Sequence, residues 1–143
     1  MKIAWHLDAE EPIDPENLLG DITLSDAHAT LHERETYIDS WLDACITGLG
    51  AVQERKTICV DVPEEPHPLV FEPVDHGMRV SYRTMAISAE SVEAFRDALV
   101  RAAAALLQQL EGVAGWQQNP LLQGLRDFVG DRQEVSDHAD KPV

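Results

Sequence analysis

Hydrophobic positions along this chain follow two periods, and the switches between them predict the elements. In MKIAWHLD, Ile3, Trp5 and Leu7 alternate with Lys2, Ala4 and His6, the pattern of a strand with one covered face. EEPIDPEN is acid- and proline-rich and reads as a solvated loop. GDITLSDAHATLHE then places Ile22 and Leu24 on one parity and Ala27, Ala29 and Leu31 on the other, so a turn or bulge at Ser25-Asp26 predicts a hairpin.

The period changes in TYIDSWLDACITGLG, where Ile38, Trp41, Leu42, Cys45, Leu49 and Val52 recur at helical spacing opposite Asp39, Ser40, Asp43 and Thr47. Thr36 is the expected N-cap, with Asp39 at N3, and Gly48 or Gly50 the expected exit. KTICVDV alternates again, and PLVFEPV and MRVSYRTMAI read as two strands joined by Asp75-His76-Gly77, with a left-handed position at the Gly. Prolines 63, 66, 68 and 73 withhold backbone donors, which predicts an edge position or a bulge for the flanking strand.

ISAESVEAFRDALVRAAAALLQQLEG carries the longest helical stripe, Val92, Phe95, Leu99, Ala103, Leu106 and Leu110, with Ser88 as expected N-cap and Gly112 as stop. NPLLQGLRDFVG predicts a short last helix capped by Asn119, with Pro120 at N1. These elements predict an α+β fold: an antiparallel meander sheet of about six strands, two main helices on one face and a short C-terminal helix. Residues 1–130 read as one domain and residues 131–143 as a polar, flexible tail.

Composition narrows the chemistry. Among 143 residues, 26 acids face 11 Lys and Arg, a net charge of −15 that repels nucleic acid and anionic membrane surfaces and attracts basic ones. Residues 1–54 hold 12 acids against Lys2 and Arg34, so the N-terminal part carries −10 of that charge. The start lacks the apolar run of a signal peptide and no window reaches the length of a membrane span, which leads us to expect a cytoplasmic protein. Cys45 and Cys59 sit within apolar patterns and read as two buried thiols.

Catalytic and metal signatures are weak. His28 and His32 in HATLH share one side of a strand or helix, yet a metal needs a further ligand, and two solvated histidines are the simpler reading. Asp137, His138 and Asp140 lie in the polar tail, with nothing to orient them. There is no nucleophile elbow and no glycine-rich phosphate loop, so we expect no enzyme, no cofactor and no metal. What remains is acid. Asp61 and Glu72 alternate with core positions, Glu64, Glu65 and Asp75 occupy the connecting loops, and Asp39 and Asp43 extend the same surface from the first helix. Held by prolines, these carboxylates form a candidate docking face for a basic protein, beside the plainer reading of a charged, edge-protecting surface.

The succession GDITL, TYIDSWLDACITGL, DVPEEPHPLVFEP, VSYRTMAIS and EAFRDALVRAAAALLQQL, over residues 18 to 111, resembles small immunity proteins of bacterial polymorphic-toxin and contact-dependent competition systems. Tyr37, Asp39, Trp41 and Phe95 match that pattern as fold determinants. The resemblance implies a non-catalytic protein that binds a cognate toxin and blocks its active site; we expect the toxin to act in the cytoplasm and the chain to be a monomer or weak homodimer. A non-inhibitory secretion adaptor is the alternative.

Overall fold

A computed structural model describes residues 1–8 and 13–140, with side chains to residue 130. Residues 9–12 of the acidic loop and residues 141–143 of the tail lie outside the described residues. The chain runs β1 (Lys2–Leu7), β2 (Leu19–Ser25), β3 (Thr30–Tyr37), α1 (Ile38–Gln53), β4 (Ile58–Val60), β5 (Leu69–Val74), β6 (Gly77–Tyr82), β7 (Met85–Ala89), α2 (Val92–Leu110), a 3₁₀ turn (Trp116–Gln118) and α3 (Pro120–Asp140). The strands form two antiparallel meanders, β1-β2-β3 and β4-β5-β6-β7.

The fold is α+β, as the periodicities predict, with the strands divided between two sheets. The edges of β3 and β7 face one another. Asp26 Oδ2 accepts the Ser88 backbone N–H at 2.8 Å, and Arg83 Nη2 meets Glu33 Oε2 at 2.9 Å. Helices α1 and α2 each pack on both sheets, and α3 packs on both helices. A single core results, centred on Trp41, Tyr82, Phe71 and Phe95. Among the described residues no helix is long and apolar enough to cross a membrane.

Several local expectations are corrected. MRVSYRTMAI is a hairpin: β6 and β7 pair Tyr82 with Met85 across Arg83-Thr84, with Arg83 at φ +57°. The β5–β6 turn holds two residues, Asp75 and His76, and the left-handed position is Asp75 at φ +52°. Strand β5 is interior, and β4 is the edge. Pro73 is tolerated because β4 reaches only as far as Phe71. Gly77 follows the turn because a Cβ there would lie 2.0 Å from the Ala89 carbonyl oxygen.

Helix α1 starts directly from β3. Thr36 remains in the strand, where its Oγ1 accepts the Trp41 indole N–H at 2.7 Å, and Tyr37 takes the cap position without a side-chain bond. Gly48 and Gly50 lie inside the helix. At Gly48 a Cβ would stand 2.3 Å from the Phe71 ring, so the missing side chain lets α1 settle onto β5. The N-cap of α2 is Ser91, whose Oγ accepts the Ala94 N–H at 3.0 Å, while Ser88 stays in β7. Gly112, at φ +84°, follows α2 as expected. Asn119 does cap α3, its Oδ1 accepting the Leu121 N–H at 3.0 Å, but α3 is not short and continues to Asp140.

Candidate functional site

The expected docking residues do not gather into one surface. Strand β5 separates them. Asp61, Glu64 and Glu65 lie in the loop before Leu69, and Asp75 lies in the turn after Val74. A strand of this length spans roughly 17 Å. At the turn end, Glu72 Oε1 is paired with Arg79 Nε at 2.9 Å, and Arg55 Nη2 donates to the Asp75 carbonyl oxygen at 3.0 Å. The Glu72 carboxylate is thus compensated by a guanidinium group, whereas Arg55 engages the backbone of Asp75.

Asp39 is corrected outright: it is 6% exposed, not on an open helix face. Periodicity identifies the face of α1 that meets the sheets, but α3 covers the other side. Asn119 Nδ2 donates to Asp39 Oδ2 at 3.1 Å and to the Pro15 carbonyl at 2.8 Å. Burial pushes the Asp39 carboxyl above its ordinary range, against the opposing pull of the Asn119 bond. Asp43, half-buried, is also raised, first by burial and then by the Asp39 charge.

Glu64 and Glu65 do come together with other acids. They line an open groove of about 470 Å³ with Asp8, Asn17, Leu19, Glu35 and Tyr37. Each wall has a local cause. Opposite Asp21, β3 bulges by one residue, so Glu35 adopts φ +51° and donates its N–H to Asp21 Oδ1 at 3.2 Å. Asp8 is held by its N–H bond to the Leu19 carbonyl at 3.0 Å. Buried Val62 anchors the β4–β5 loop, Glu65 N–H closes a turn onto the Val62 carbonyl at 3.0 Å, and Glu64 takes φ +70°. Pro63, Pro66 and Pro68 stiffen this loop.

Behind the groove lies a paired network. The buried Tyr82 hydroxyl donates to Glu33 Oε2 at 2.8 Å, with Glu65 Oε2 at 3.3 Å as a second acceptor. Burial and the Glu33 bond raise the Tyr82 hydroxyl to about 12, so it stays a donor at neutral pH. Arg83 sits 5.4 Å from the Tyr82 ring centroid and is engaged by Glu33. Consequently one oxygen of Glu65 is oriented from beneath, while the groove itself has four carboxylates and neither Lys nor Arg among its lining residues.

Sequence reasoning found Glu64 and Glu65 and missed Asp8, Asn17, Glu35 and Tyr37. The −10 charge of residues 1–54 pointed in this direction without identifying positions. Other candidates separate. His28 and His32 are both exposed, and His28 donates its backbone N–H to Asp26 Oδ1 at 2.7 Å. Among the described residues no group of three or more His, Cys, Asp and Glu is placed to hold a metal ion. Side chains of Asp137, His138 and Asp140 lie outside the described residues.

Of the two thiols expected to be buried, Cys45 is, and its pKa is pushed up to about 12 by burial. Cys59 is exposed, because on edge strand β4 it faces opposite to Ile58 and Val60, which pack against the core. Comparison with known protein families, with curated proteins and with solved structures found no significant match.

Proposed function

We propose that this chain is a cytoplasmic immunity protein that binds a basic toxin and blocks its working surface by stoichiometric occlusion, without catalysis. The observation that carries the reading is the groove in which Asp8, Glu35, Glu64 and Glu65 converge with no cation among the lining residues. Clustered like charge is costly to a protein by itself and is repaid when a cationic surface arrives. Stiff loops and the Tyr82 bond to Glu65 keep the carboxylates near one geometry, which lowers the ordering cost of binding. The resemblance over residues 18 to 111 supplies the class of partner.

Co-expression with the product of the neighbouring toxin gene tests this. The parent chain restores growth, and Glu64→Lys with Glu65→Lys abolishes protection while the chain stays folded by circular dichroism. An adaptor would leave toxicity untouched and alter delivery only. Equal protection by parent and variant would remove the groove from the interface.

A further inference from the structure

Four sheet edges exist among the described strands, and three are managed. Strands β3 and β7 face each other through the Asp26–Ser88 and Glu33–Arg83 contacts, and β4 has only three residues before it runs to Pro63. Strand β1 is different: six residues, no proline, and pairing on one side only. The bond from Asp8 N–H to the Leu19 carbonyl fixes its phase. With Lys2 opposite Ser25 and His6 opposite Asp21, the even positions turn their backbone groups to β2, and Ile3, Trp5 and Leu7 turn theirs to the open side. No other described segment bonds those groups. Beside them runs a groove of about 960 Å³ whose far wall includes Ala98, Ala102 and Ala105 of α2.

We propose that a second copy of this chain occupies this edge, β1 against β1, antiparallel about a two-fold axis at Trp5. Outward-facing positions must meet outward-facing positions in such a ladder. Centring on Trp5 sets Ile3 opposite the partner's Leu7 and forms about six backbone hydrogen bonds. The same register sets Lys2 opposite the partner's Asp8 at both ends, with Cβ atoms about 5 Å apart, so the strand is complementary to itself in charge as well as in hydrogen bonding, and in the dimer the acidic groove keeps Glu35, Glu64 and Glu65 as its unpaired acids. A continuous sheet of two three-stranded halves results. An axis perpendicular to the sheet keeps both α2 helices on one face, where Arg101, Ala105 and Gln109 are the exposed α2 residues of the groove wall. Trp5 is already fixed for this, its Nε1 donating to the Ala102 carbonyl at 2.9 Å.

Sedimentation equilibrium of the full chain tests the proposal. Each copy carries −15, so long-range repulsion outweighs two rim ion pairs and the dimer strengthens as salt rises. Binding of a cation in the acidic groove responds in the opposite direction, and the two readings can therefore fail separately. At salt high enough to screen the net charge, Lys2→Glu alone and Asp8→Lys alone each weaken dimerisation roughly tenfold by facing like charges across the axis. Mixing these two variants restores association, since each then meets its complement. A monomer at every concentration and salt, or a dimer indifferent to both substitutions, overturns the assignment.

Discussion

The two ends of the β4–β5–β6 sheet contain the same residue types and treat charge in opposite ways. At the turn end, Glu72 has Arg79 at 2.9 Å and the Asp75 turn has Arg55 at its carbonyl. At the groove end, Glu64 and Glu65 meet Asp8 and Glu35, and the nearby Arg83 is held by Glu33. A carboxylate paired directly with a guanidinium contributes little field at a distance; four lining a groove with no Lys or Arg on its walls focus it. Residue counts along the chain therefore say less about a docking face than where each cation is engaged.

The largest expected effect breaks this contrast directly. Glu64→Lys with Glu65→Lys slows association with a labelled oligo-arginine peptide by about tenfold or more at low salt, measured by stopped flow. Glu72→Gln changes the same rate by less than about twofold, because Arg79 already compensates that carboxylate. Equal losses per charge removed would show that net charge alone matters and that the groove has no special standing.

A smaller effect sharpens the comparison from beneath. Tyr82→Phe removes the hydroxyl that donates to Glu33 at 2.8 Å and reaches Glu65. Urea unfolding should show a loss of about 1 kcal/mol. Association should slow modestly, as Glu65 loses its orienting bond. A Tyr82→Phe variant with unaltered binding kinetics would mean that Glu65 is held by the loop alone.

The smallest effect concerns an aspartate that belongs to neither end. Asp39 is raised above its ordinary value of 3.8 chiefly by burial. A carboxyl raised on folding weakens the fold when ionised: the cost is full above the folded pKa and disappears as pH falls below the unfolded value. Asp39→Asn should thus raise stability at pH 7 by no more than about 1 kcal/mol, with the difference vanishing in acid. Thermal melts across pH measure it. Asp26 has the opposite sign, lowered first by the Ser88 N–H and then by those of His28 and Ala29, so its contribution is present above pH 3.8 and is lost in stronger acid.

The legible parts of the fold are those written in local periodicity. The apolar stripe of α2 from Phe95 to Leu110 and the caps at Asn119 and Gly112 follow from spacing and residue type. The β6–β7 turn was hidden because Arg83-Thr84 contains none of the usual turn residues, and Arg83 takes a left-handed conformation that its type does not advertise. Asp39 was misplaced because helical spacing reveals one covered face and is silent about a second. For the groove the obstacle is distance along the chain: Asp8, Glu35 and Glu64 belong to three separate segments, joined by a strand bulge and a loop that no pattern announces.

Asn119 ties Pro15 and Asp39 together from 104 and 80 residues away. During synthesis the first helix is therefore made long before its inward-pointing acid meets the Asn119 amide, and until the third helix emerges from the ribosome that acid has only local backbone donors and water. Newborn chains would hold this flank ajar, giving a late and sudden closure that couples the last segment translated to one of the earliest.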